Sequence, residues 1–269
     1  MRVSVCSAAV LIMLTASSQV FGLNIVRNFS GGIAPSSVAG GGTLSDVFDA
    51  AADWWEMAIL DNHTVTIGFS WASLTAPTLA QATVLPSRPS VKSTIKFDND
   101  STNWFIDPTP HDDGEWTTFT ETVADLGGGP INVQRKYTGP TGDAINRYDL
   151  LSVAKHEIGH ALNVIDFFGD VMADPTITTA QRPNPGTKIF TTTAGGGHID
   201  PEQHPDALMV PTVPLGQRKL QTGIDILLAA QRSGFTNVVL DPLHVPEPST
   251  LMLAVCGLLA LVTCVRRHA

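Results

Sequence analysis

Hydrophobic and polar positions follow two different periods along the chain, and these periods predict its first elements. Between residues 44 and 60 the apolar positions recur at helical spacing, with Thr43 or Ser45 as possible N-caps. From Thr64 to Trp71 polar and apolar residues alternate one by one, as in a half-buried strand. Two further short strands are predicted on either side of a turn, at residues 95–97 and 104–106.

Two more helices are predicted in the second half of the chain. Asp149 is a candidate N-cap, and the largely apolar residues after it indicate a buried helix. Asn163 tolerates the left-handed conformation that ends helices, so the chain is expected to bend there. A last helix is predicted from the apolar positions between Leu220 and Leu228, and Gly234 can end it. Helices and strands in this order predict an α+β fold.

The first of these helices carries the residues with the clearest chemical meaning. His156 and His160 are four positions apart, so they share one helix face and can both bind one ion, while Glu157 reaches the same space. Two histidines and one further ligand leave the fourth zinc position open to water, which is the mark of catalytic zinc. Asp166, just past the expected bend, is the preferred third ligand.

Two downstream histidines are alternative third ligands. His198 and His204 both precede Met209, on a segment that is expected to pass close to the metal. Either could replace Asp166, contact substrate or lie in a polar loop, and a plain surface loop is the preferred interpretation for His204. Asp166 is favoured over the pair as the third ligand.

At these residues the chain resembles the metzincin metalloproteases, whose motif is His-Glu-x-x-His-x-x-Gly-x-x-His/Asp. Asn163 stands at the usual Gly, and Asp166 at the last position, where most members have His. The resemblance also implies a methionine turn below the metal, and Met209 within the segment 207–211 fits it. It implies an α+β, zincin-type domain, in which a mixed twisted sheet packs on the active-site helix, followed by the Met turn and a C-terminal helix.

The resemblance implies an exported zinc-dependent endopeptidase that hydrolyses protein or peptide substrates. Zinc would activate a bound water, and Glu157 would act as general base. An edge strand would bind the substrate backbone, and the strand near Ile95 or Trp104 is the candidate. Some members also use a tyrosine shortly after the Met turn, but Val210 and Pro211 stand there, so no tyrosine role can be carried over.

Both ends of the chain have the features of targeting segments. Residues 1–22 combine Arg2, an apolar run and small residues, which predicts a secretory signal for signal peptidase. At the other end Pro246-Glu247-Pro248, an apolar run at 250–265 and two arginines resemble the PEP-CTERM sorting signal. This resemblance implies processing by an exosortase, a transient anchor in the bacterial inner membrane, and a final place in the cell envelope or outside the cell.

These signals divide the chain into a body of residues 23–235, a Pro-rich linker at 236–249 and a sorting tail at 250–269. All three cysteines, Cys6, Cys256 and Cys264, lie in the targeting segments, so the body has no disulfide and no cysteine to cap a metal. The formal charge is −9, and the targeting segments contain arginines but no acidic residue. The body is therefore strongly acidic, which argues against nucleic acid as a partner.

A second function class fits the same features. The chain could be a non-catalytic exported protein that keeps the zinc site as a scaffold and associates with extracellular matrix or polysaccharide. Glu157 argues against this alternative, because a carboxylate beside two metal ligands has no evident structural role. The endopeptidase is therefore the preferred prediction.

Overall fold

The computed structural model describes residues 22–85, 87–165, 176–179, 187–190 and 197–242. Its three helices are α1 (Leu44–Ala58), α2 (Leu150–Ala161) and α3 (Gly223–Ser233). The strands, in chain order, are β1 (Leu23–Phe29), β2 (His63–Ala72), β3 (Ala80–Val84), β4 (Lys92–Asp98), β5 (Trp104–Phe105), β6 (Trp116–Asp125), β7 (Pro130–Pro140), β8 (Tyr148–Asp149), β9 (Thr176–Thr179), β10 (Thr187–Phe190) and β11 (Arg218–Lys219).

The main sheet is mixed and has the strand order β1-β2-β4-β3. Strands β1, β2 and β4 run parallel, and β3 is antiparallel to β4 at one edge. In β2 the apolar positions predicted from alternation are the buried ones: Val65, Ile67, Phe69 and Trp71. The alternation therefore gives β2 one face turned to the core.

Helices α1 and α2 join this core and lie against each other. In α1, Thr43 is the N-cap and accepts a hydrogen bond from the Asp46 backbone N–H. The ring of Phe48 stacks on Phe69 of β2 at 3.9 Å between centroids. The indole of Trp55 donates to the Lys155 carbonyl of α2 at 2.9 Å. This bond ties the first helix directly to the turn of α2 that carries His156.

A second, antiparallel sheet has the order β11-β7-β6, and β5 pairs with β8 in a short parallel ladder. Strand β6 is exposed along most of its length. The short strand β8 leads directly into α2, and β11 follows the segment 207–211 that contains Met209.

The predicted helices and the strand at 64–71 are confirmed, but the strand at Ile95, predicted as an edge strand that could bind substrate, does not lie at an edge. The strand at Ile95 is β4, which lies between β2 and β3, and Trp104 belongs to the separate β5-β8 pair. The edge strands of the main sheet are β1 and β3, and β3 was not predicted. Its sequence Ala-Gln-Ala-Thr-Val has few large apolar residues, because an edge strand buries little of either face.

Residues placed in the linker by sequence continue the folded body. Leu60 N–H donates to the Asn237 carbonyl and Val239 N–H to the Ala58 carbonyl, each at 2.8 Å. Asp241 accepts from the buried Arg135 at 3.0 Å. No helix within the described residues has the length and hydropathy needed to cross a membrane. The apolar run at 250–265 lies outside those residues.

Candidate metal centre

Helix α2 is held firmly at its start and is almost entirely buried. The Asp149 side chain caps it by accepting from the Ser152 backbone N–H at 3.0 Å and from the Ser152 hydroxyl at 2.6 Å. Ser152 in turn accepts from the Lys219 backbone N–H at 2.7 Å. The predicted N-cap is thus confirmed, and the helix that carries the histidines begins from a fixed point.

The chain leaves α2 through the bend that was predicted at Asn163. Asn163 has φ +70°, the left-handed conformation, and its side-chain amide donates to the Ser87 carbonyl at 2.9 Å. This bend brings the Val164 carbonyl back over the helix end, where it accepts from His160 Nδ1 at 2.5 Å. The bend therefore orients one of the two helical imidazoles.

The two histidines of α2 both direct their Nε2 atom to the same place. His156 Nδ1 bonds the Leu208 carbonyl at 2.8 Å, and His160 Nδ1 bonds the Val164 carbonyl. Because a carbonyl only accepts, each Nδ1 carries the hydrogen and each Nε2 has a free lone pair. The two Nε2 atoms lie 3.0 Å apart. Two lone pairs at that distance repel each other, so the arrangement fits a cation between them.

His198 is the third imidazole of the cluster. Its ring centroid is 5.3 Å from that of His156 and 4.8 Å from that of His160, and one ligand atom of each of the three lies within 4.8 Å of the others. Ile199 N–H donates to the Met209 carbonyl at 2.8 Å, which fixes the His198 segment against the Met turn. One of the two alternative ligands predicted from sequence thus lies at the site.

Asp166 and His204 are the other two residues that were predicted as possible third ligands. Asp166, the preferred third ligand, lies outside the described residues. His204 does not belong to the imidazole cluster, and its prediction as a surface-loop residue is wrong, because only 5% of it is exposed. It occupies a turn between Asp200 and Ala207 that packs beside the buried Met turn.

The three imidazoles are electrically neutral near pH 7. Burial lowers the pKa of His156 well below its ordinary value, and the neighbouring imidazoles add to this effect. Burial also lowers the pKa of His160, and burial together with His160 lowers that of His198 to about 4. Neutral imidazole is the form that binds a transition metal, so the cluster needs no deprotonation to do so.

Met209, which the resemblance implies in a turn below the metal, packs against Gly159 of α2. It is fully buried, and a methyl group on Gly159 would overlap its sulfur. The backbone N–H groups of Leu208 and Met209 both donate to the carboxylate of Asp225 in α3, at 3.1 and 2.9 Å. This turn also supplies the carbonyl that orients His156, so it positions the cluster from below.

Glu157 is the carboxylate of the site. Only 6% of it is exposed, and burial raises its pKa to about 8, although a hydrogen bond from the Ala82 backbone N–H of β3 opposes that shift. Its Oε2 atom is buried and makes no hydrogen bond within the described residues. A carboxylate with a high proton affinity and a free oxygen can accept and return a proton.

A cleft of about 620 Å³ opens over these residues. The edge strand β3 forms one side, and residues 210–213, just after the Met turn, form another. His156, Glu157, His160 and His198 all line it. Within the described residues β3 pairs only with β4, so a peptide could lie along the other edge of β3 and pass over the imidazole cluster.

Tyr148 also lines this cleft, although its sequence position predicted no role for it. It lies eight positions before His156, and its ring packs on Trp104 with 6.4 Å between centroids. Tyr148 lies in β8, before α2 begins, so helical spacing does not relate it to His156, and no local sequence pattern indicates its place in the cleft. Its phenol is the only tyrosine hydroxyl among the described residues that line the cleft.

Comparison with known proteins gives one match, at the end of the chain. Residues 244–267 match the model described as the PEP-CTERM protein-sorting motif. The chain carries a PEP-CTERM sorting motif. This confirms the predicted sorting signal and implies export, processing by an exosortase and sorting in the cell envelope. No curated protein and no solved structure matches the chain.

Proposed function

We propose that this chain is an exported zinc-dependent endopeptidase. The observation that carries the proposal is the pair of Nε2 atoms 3.0 Å apart, each freed for metal binding by an Nδ1 bond to a carbonyl, with His198 beside them. Three imidazoles suit zinc, although they also suit other transition metals. His156, His160 and His198 would hold the ion.

The catalytic roles of the chain's own groups follow from their surroundings. When bound, zinc supplies an acidified water and polarises a carbonyl. Glu157 takes a proton at its free carboxylate oxygen and returns it to the leaving amine. The carbonyls of Leu208 and Val164 keep the imidazoles oriented. Strand β3 binds the peptide backbone along its free edge.

The proposal is tested by cleavage of casein with the full-length chain, with and without chelator. We expect cleavage by the wild type, its loss with chelator and its return with added zinc. Glu157→Gln keeps the metal but lowers cleavage by about 10²–10⁴-fold, because it removes the proton acceptor. Glu202→Gln is the matched control, since Glu202 is exposed and does not line the cleft.

The same experiment separates the endopeptidase from a non-catalytic zinc scaffold. If the wild type binds zinc and cleaves neither casein nor a mixed peptide library, the scaffold explains the site and the proposal fails. If Glu157→Gln cleaves as fast as the wild type, the assigned role of Glu157 fails.

A further inference from the structure

Two walls of the cleft come from segments that are far apart in sequence. The first wall contains Tyr148 of β8 and Val153 of α2. The second wall is the segment 210–213 after the Met turn. Under the proposed function, a peptide in the cleft would contact both walls, so their separation would affect how well it binds.

The chain that continues from the second wall into β11 is hydrogen-bonded to residues next to the first wall. Gly216 N–H donates to the Arg147 carbonyl at 2.9 Å, next to Tyr148. Lys219 N–H donates to the Ser152 hydroxyl, next to Val153. Between these two backbone bonds, Arg218 binds both carboxylate oxygens of the helix cap Asp149, at 3.2 Å from Nε and 3.0 Å from Nη2.

Arg218 is the centre of a buried ionic cluster. Its side chain, and those of Asp107 and Asp149, are 0% exposed. It also pairs with Asp113 at 3.0 Å and lies 5.3 Å from the Trp116 ring. Buried carboxylates that lose their cationic partner repel each other. The cluster therefore keeps its geometry only when this position carries a planar cation that makes several hydrogen bonds, as arginine does.

We propose that Arg218 is a positioning residue that sets the separation of the two cleft walls and thereby the affinity for peptide. It contacts neither the imidazole cluster nor the cleft itself. It acts through Asp149, which is adjacent to Tyr148 and caps the helix that carries Val153. The inference rests on the proposed peptide-cleaving function, because peptide is the ligand that the walls would hold.

The test compares Arg218→Lys with Arg135→Lys in the full-length chain. Arg135 is the matched control, because it is also 0% exposed and also binds two carboxylates, Glu121 at 2.6 Å and Asp241 at 3.0 Å, but lies away from the cleft. We expect both variants to lower Tm and to keep the metal. Only Arg218→Lys raises KM, by about tenfold, with kcat within about threefold.

A further readout keeps this inference separate from the proposed function. Peptide binding is also measured by fluorescence anisotropy in a Glu157→Gln background, where no cleavage is needed. If the wild type cleaves nothing, the proposed function fails, and the binding ratio still reports the role of Arg218. Equal KM or binding ratios for the two arginine variants, or loss of metal in Arg218→Lys, would overturn the inference.

Discussion

Gly159 determines how closely helix α2 approaches the segment 207–211 that contains Met209. A helix normally gains from alanine in place of glycine, by about 1 kcal/mol. At this position, however, an added methyl group overlaps the Met209 sulfur and lies 3.1 Å from a ring carbon of Trp55. All three residues lie in the core, so the lack of space outweighs the helical preference.

Gly159→Ala is expected to destabilise the protein by about 1–3 kcal/mol, because the methyl group overpacks the core. Denaturant unfolding measures the change. Met209→Ala provides the control in a double-mutant cycle, since it removes the overlapping sulfur and should make the alanine less costly. Equal cost in the two backgrounds would show that the overlap with Met209 is not the cause.

The Met turn and helix α3 form one unit through a buried carboxylate. Asp225 accepts from Thr222 in a capping box and from the backbone N–H groups of Leu208 and Met209. Helix α1 has a related but exposed cap, in which Thr43 accepts from the Asp46 N–H and donates to its carboxylate. The two caps thus differ mainly in burial and in the groups that donate hydrogen bonds to the aspartate carboxylate.

Asp225→Asn is expected to lower the free energy of unfolding by about 2–3 kcal/mol, because the amide cannot accept all the hydrogen bonds that the buried carboxylate accepts. Asp46→Asn, the matched change in the exposed cap, should cost no more than about 1 kcal/mol. Chemical denaturation of both variants checks this, and similar losses would contradict the anchoring role of Asp225.

The sequence predicts the features of this fold that depend on residues close together in the chain. It does not predict those that depend on contacts between distant residues. Helix α1 and strand β2 are predicted because their apolar positions repeat over many residues. The bend at Asn163 is predicted from one residue's backbone preference. His198 could not be preferred over Asp166, because the long-range hydrogen bond between Ile199 and Met209 fixes its position. The role of Arg218 likewise depends on contacts that sequence spacing does not contain.

At the scale of the whole molecule, the folded body and the sorting signal are adjacent. The described body extends to residue 242, and the matched sorting motif begins at residue 244. The body is held at this end by the ion pair between Arg135 and Asp241. The contacts described at this end of the body involve Asn237, Val239 and Asp241, which all precede the motif, so we expect changes in the motif to leave them intact.

Replacing Pro246, Glu247 and Pro248 by alanine is therefore expected to block exosortase processing without changing Tm by more than about 1 °C. A gel-mobility assay for the processed form, in a host with an exosortase, measures the first effect, and thermal unfolding measures the second. Pro242→Ala, just before the motif, is the control. Normal processing of the triple variant would show that this motif does not direct it.

The most direct test of the account is metal analysis of the full-length chain after purification with excess zinc and removal of unbound metal. We predict about one zinc per chain, lost in His156→Ala, His160→Ala and His198→Ala. The control His111→Ala should keep it, since that side chain is 67% exposed. A metal-free wild type would contradict the central claim, and full retention of zinc by His198→Ala together with its loss from Asp166→Ala would contradict His198 as the third ligand.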